Sequence, residues 1–183
     1  VSKKANAYSD TQAIEAMRLI GPNLRKVYHN GNDLEAREKM MLGATLAGIA
    51  FSNASVALVH GMSRPIGAIY HVPHGLSNAM LLPAVTEYSI PAAKKRYADC
   101  ARAIGVSMSG DTDDVANKKL LSELIAINKE LNVPSPSEFG IDKTDFMQNL
   151  EVMAEQAIAS GSPGNNPRVP ESKEIMEIYK LLW

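Results

Sequence analysis

Apolar residues in this chain recur at steps of three and four, and hardly anywhere at steps of two. Near the start, Ile14, Met17, Ile20, Leu24 and Val27 fall on one face of a 3.6-residue period. Aromatic residues, which favour strands, make up only 5% of the chain. The pattern predicts an all-α fold, a single helical bundle of roughly seven to nine helices over residues 1–183.

The same periodicity places the elements. A first helix is expected from Thr11 to Tyr28, capped by Asp10 and kinked or broken at Pro22. A second follows Asp33 and runs to Asn53. Its half "GATLAGIAFSNAS" is so rich in glycine and alanine that burial on most sides, with neighbouring backbones close by, is expected. Helices are expected over Ser55 to Ile69, His74 or Gly75 to Tyr88 with Pro73 in the first turn, Ala92 to Ile104, Asp113 to Leu131, Thr144 to Ala159 and Ser172 to Leu182. Loops are expected at Asn132 to Ile141 and at Ser160 to Pro170.

Composition narrows the function. A net charge of -1 and no basic stripe leave no footprint for nucleic acid. No run of about eighteen apolar residues calls for a membrane span. One cysteine, Cys100, lies in the helical segment "YADCARAI"; it makes no internal disulfide and fits a reducing, cytoplasmic setting, as a packed residue rather than a nucleophile. Met62 and Met80 are expected in the core, and His29 at a helix C-terminus complements the helix dipole.

Three of the four histidines crowd into "LVHGMSRPIGAIYHVPHGLSNAMLLP", at His60, His71 and His74. His60 and His74 are each followed by glycine, which lets another group approach the backbone. One lies within a helix and the other opens the next, so two packed helices can bring the imidazoles to one point. Neutral imidazole is the commonest protein donor to iron, zinc or copper. The spacing supplies no third ligand, and there is no HExxH, CxxC or triad pattern. The residues by themselves therefore indicate an incomplete metal site in a helical domain, with a non-catalytic helical interaction module as the other reading.

"HGMSRPIGAIYHVPHGLSNAMLLP" resembles the second signature region of the iron-containing, or group III, alcohol dehydrogenases. "GATLAGIAFSNASVALVHG" is similar to the helix leading into it, and "NNPRVPESKEIMEIYKLLW" to the family's last loop and helix. The resemblance implies a dehydroquinate synthase-like C-terminal helical domain of a two-domain enzyme whose N-terminal α/β domain binds NAD or NADP. It implies that His60 and His74 are metal ligands, Fe2+ in preference to Zn2+, while an aspartate and a third histidine lie ahead of Val1. Consistently, no GxGxxG loop is present. Phe51, Arg64 and His71 fall at cleft positions and are carried over as cofactor-binding candidates, and the loop "SGSPGNNPR" is implied to border the pocket. Arg64 stands where many members have a histidine, which removes a proton relay there; an arginine can position a phosphate or a carboxylate. The implied activity is hydride exchange between a small alcohol or aldehyde and a nicotinamide. The partner is the absent dinucleotide-binding domain, a homo-oligomer is possible, and the 183-residue chain alone is expected to be inactive and to bind metal weakly or not at all. The related zinc-dependent glycerol dehydrogenase and dehydroquinate synthase group is the alternative within enzymes.

Overall fold

The computed structural model describes residues 1–183 and contains no strand. Nine α-helices follow in order: α1 (Ala7–His29), α2 (Leu34–Ala54), α3 (Leu58–Tyr70), α4 (His74–Ser89), α5 (Lys94–Ala103), α6 (Asp113–Glu130), α7 (Lys143–Gln148), α8 (Leu150–Ala159) and α9 (Ser172–Lys180). Short 3-10 turns lie at Ile90–Ala92 and Ser162–Asn165. The all-α expectation and the helix number both hold. No single helix is long and apolar enough to cross a membrane. The chain divides into two compact units, one of Lys3–Ser55 with Ala93–Glu123, the other of Val56–Ala92 with Leu124–Trp183.

In the first unit α1 starts earlier than expected. Asn6 is its cap: the Asn6 side chain accepts from the Ser9 N–H at 3.1 Å, and Ser9 Oγ accepts from the Asn6 N–H at 2.9 Å. Asp10, expected as the cap, instead lies inside the helix and receives both arms of the Arg96 guanidinium from α5 at 2.7 and 2.9 Å. That contact holds the Asp10 carboxyl below its ordinary range. Pro22 does not break α1, which runs on to His29. Close approach is real at Gly43, where an added Cβ would stand 2.7 Å from Ile20 Cγ1 of α1. Burial on most sides is not: Leu34, Met41, Leu42 and Phe51 of α2 are exposed, and Gly48 faces open space. The glycines and alanines of α2 reflect one tight seam rather than an encased helix. Cys100 on α5 is partly buried, and burial pushes its thiol up, in line with a packed and unreactive residue.

The second unit is built on α3. Leu58, Met62 and Ile66, spaced by four, are fully buried and point to a core shared with Met80 and Leu81 of α4, Phe146 of α7, Met153 of α8 and Ile175 and Tyr179 of α9. The buried Tyr179 hydroxyl donates to the Met62 carbonyl at 2.7 Å. Phe146 is ringed by Tyr70, Tyr179 and Trp183, with centroids 5.4 to 6.1 Å away. The single helix expected over Thr144 to Ala159 is two. Asn149 divides them, because its side chain donates to the Asp145 carbonyl at 3.0 Å and to the Tyr70 hydroxyl at 3.2 Å, offering the backbone a local alternative to the helical ladder. Pro73 is the cap residue of α4 rather than part of its first turn. Pro83 lies inside α4 and cannot donate to the Ala79 carbonyl. The Asn128 side chain of α6 donates to that carbonyl instead, at 2.7 Å.

Candidate metal centre

The spacing that buries Leu58, Met62 and Ile66 turns His60 and Arg64 to another face of α3, one above the other at i and i+4. After α3 the chain reverses through His71, whose φ of 57° is left-handed and caps the helix. Val72 is buried, and α4 then begins at His74. This tight return brings the two imidazoles together, with ring centroids 5.3 Å apart and planes 58° to one another. Two rings bound to one cation through bonds of about 2.1 Å stand with centroids roughly 5 Å apart at a tetrahedral angle, so the spacing fits a shared metal.

The surroundings favour a neutral His60 ring. Burial, then the nearby His74, then the Arg64 charge lower the basicity of His60 below the ordinary imidazole value. A ligand must be unprotonated, so this environment suits ligation at neutral pH. Asn78, one turn along α4, places its amide nitrogen 3.1 Å from His74 Nε2, and its Oδ1 is buried without a hydrogen-bond partner. That orphaned oxygen leaves unused polar capacity beside the pair. No third His, Cys, Asp or Glu joins the two rings to form a cluster of three. The donor set therefore fits a divalent cation as half a site.

A loop from far along the chain closes over the same face. Pro163 of the 3-10 turn rests on Gly61, where an added Cβ would stand 2.8 Å from the proline ring. Arg64 donates through Nη1 to Ser162 Oγ at 3.1 Å. Asn165 donates to the Val56 carbonyl at 3.0 Å, and the buried Asn166 holds Ser89 Oγ at 2.9 Å, so the loop is anchored at both ends. The structure thus brings His60, His74 and Arg64 into one neighbourhood. His71 is exposed at the turn between their helices. Phe51, on α2 in the other unit, is 51% exposed and is not a core residue. Sequence reasoning missed Asn78, whereas the loop "SGSPGNNPR", with Ser162 and Pro163, lies against α3 where the resemblance put it. The i,i+4 spacing from His74 was a usable signal for Asn78, whereas the individual contacts of Ser162 and Pro163, about a hundred positions from their partners, have no spacing signal.

Comparison with known proteins gives the family and the fold. Residues 1–183 match the Fe-containing alcohol dehydrogenase family, C-terminal region. The chain is 36% identical over 181 residues to 1,3-propanediol dehydrogenase of Citrobacter freundii, covering 98% of this chain and 46% of that protein. It is 33% identical over 177 residues to NADPH-dependent butanol dehydrogenase of Clostridium saccharobutylicum, covering 96% and 45%. The solved structure of alcohol dehydrogenase from Oenococcus oeni superposes with a TM-score of 0.92 at 33% identity, covering 100% of this chain and 47% of that one. The chain spans about half the length of the curated relatives it matches.

Proposed function

We propose that this chain, which belongs to the iron-containing alcohol dehydrogenase family and is an alcohol dehydrogenase domain, supplies the metal-holding half of a nicotinamide-dependent dehydrogenase. The carrying observation is the convergence of His60 and His74 from two helices to 5.3 Å. A separation of the rings to opposite sides of the fold would have favoured a bland helical module. His60 and His74 hold a divalent cation, iron in keeping with the family's name, through neutral imidazoles; two imidazoles alone suit zinc as well. Such a cation supplies Lewis-acid polarisation of an alcohol or aldehyde oxygen.

The chain's own residues bind, orient and shield. The lowered basicity of His60 keeps its donor nitrogen free of a proton. Pro163 on Gly61 and the anchored 160–170 loop shield one flank of the pair. Arg64 and His71, both exposed on this unit, are contacts for the reactants, and Phe51 is a further cofactor contact, its exposure fitting that role better than a core one. The remaining metal ligands and the NAD or NADP site lie outside these residues. What supports this is the two-fold greater length of the relatives and the absence of a strand or a GxGxxG loop here.

The test is nicotinamide reduction with a small primary alcohol, followed by absorbance. The longer protein containing this chain is expected to be active and to lose activity in His60→Ala and His74→Ala. The 183-residue chain alone is expected to show none. Undiminished turnover in both histidine variants would refute the assignment.

A further inference from the structure

Asn30 ends α1 and is the only asparagine of the chain that is followed by glycine. Asn30 and Gly31 are both exposed, in the turn that joins α1 to α2. The Asn30 N–H donates to the Lys26 carbonyl at 2.8 Å, which fixes the residue at the end of the helix. Its Oδ1 accepts from the Asn32 N–H at 3.1 Å. That bond polarises the side-chain carbonyl and holds a donor where negative charge grows during attack on Cγ. The attacking group is the Gly31 backbone nitrogen. An added Cβ at Gly31 would meet no atom within 4 Å, so nothing crowds the nitrogen or its peptide plane. At the Asn30 ψ of 89° that nitrogen has to turn toward the side chain. The turn gives up the 3.2 Å bond from the Asp33 N–H to the Asn30 carbonyl, at a site open to water.

The fold protects the other asparagines. The side-chain nitrogens of Asn23, Asn53, Asn117, Asn128, Asn149 and Asn165 each donate to a backbone carbonyl, which pins the amide away from its own chain. Asn166 is followed by proline, which has no N–H to give up. Asn32 and Asn132 precede Asp33 and Val133, whose side chains crowd the nitrogen. We propose that Asn30 is a modification site, where the folded chain deamidates through a cyclic imide. The Gly31 nitrogen loses its proton and bonds to Asn30 Cγ, the Cγ–Nδ2 bond breaks, and ammonia leaves. Water then adds to one of the two imide carbonyls. Opening on one side gives aspartate at position 30; opening on the other gives isoaspartate, with the chain running through the former side chain. No atom is oxidised or reduced, and water is the only co-reactant. Either product puts a carboxylate at the end of α1 where the helix dipole is already negative. Isoaspartate also lengthens the connection between α1 and α2 by one methylene.

The test is independent of any dehydrogenase activity. The folded chain is incubated at mildly alkaline pH in water enriched in heavy oxygen, and its peptides are followed by mass spectrometry, since each deamidation takes up one labelled oxygen. Asn30 is expected to take up label about tenfold or more faster than any other asparagine, as a mixture of aspartate and isoaspartate. Gly31→Ala has room for its methyl and keeps the fold, but shields the nitrogen, so it should slow labelling at position 30 about tenfold. Asn30→Gln would have to close a larger ring and should leave that peptide unlabelled over the same period. A parallel incubation of the chain unfolded in urea shows what the fold contributes. There the other asparagines should gain label faster than in the folded chain, while Asn30 reacts in both states. An Asn30 that stays intact in the folded chain and reacts only in urea overturns the proposal. So do equal rates across the asparagines, or a Gly31→Ala chain that is labelled at position 30 as fast as the parent.

Discussion

Asn128→Ala is expected to destabilise the unit that carries the histidines, and the reason is Pro83. An unbroken helix would satisfy the Ala79 carbonyl with the N–H of residue 83, which proline lacks. Asn128 donates to that carbonyl at 2.7 Å. Removing the donor leaves a partly buried acceptor unpaired, a loss of about 1–2 kcal/mol. For a chain of this length that lowers Tm by roughly 2–4 °C per kcal/mol. The decisive form is a double-mutant cycle. Pro83→Ala restores an N–H to α4, so in that background Asn128→Ala should be milder by about 1 kcal/mol. Urea unfolding followed by tryptophan fluorescence suits the measurement, because the single tryptophan, Trp183, stacks edge-on against Phe146 in the same unit. Equal losses in the two backgrounds, within about 0.3 kcal/mol, would refute the claim that Asn128 stands in for the missing donor.

Gly61→Ala gains about 1 kcal/mol of helix propensity but drives a methyl to 2.8 Å from the rigid Pro163 ring, so a net loss of stability is expected, with Pro163→Gly relieving it; thermal unfolding of the three variants checks this. The Asp111 carboxyl is held down to about 2 by Lys119, the Met108 N–H and Ser107. Its folded-state value lies below its unfolded value of 3.8, so its contribution is complete above that pH and fades as the pH falls toward about 2; Asp111→Asn should remove this acid limb from the urea midpoint. His60 should titrate below 6.5 in an NMR pH series, and His74→Gln, by removing a like charge, should raise it. An unchanged His60 titration in His74→Gln would place the two rings apart in solution.

The helices were legible because their apolar residues keep a 3.6 period, and the neighbourhood of His60 and His74 was legible because each sits at a helix position beside glycine. What escaped has a physical pattern. Asn6 outcompeted Asp10 as a cap because Ser9 three residues on completes the reciprocal pair, and Arg96, distant in sequence, claimed Asp10. Asn149 split a helix through hydrogen bonds to Asp145 and Tyr70, one of which no local pattern announces. Pro22 and Pro83 did not break their helices, and for Pro83 the compensating donor is forty-five residues away. Composition overstated the burial of α2, since small residues mark one close seam with α1 while Leu42 and Phe51 stay exposed. The resemblance put the loop of Ser162 and Pro163 at the pocket, but the contacts it makes with α3 lie beyond any spacing rule.

The account depends on His60 and His74 holding one cation between them. Titrating paramagnetic Co2+ into the chain at pH 7.5 and recording the imidazole resonances tests this most directly. The account predicts that the His60 and His74 signals shift and broaden together along one weak binding isotherm, as an incomplete ligand set dictates. The effect should vanish for both rings when either is changed to alanine, and His29 and His71 should be spared. Perturbation of one ring that persists when the other is removed, or of the exposed His71 in preference to the pair, would contradict it.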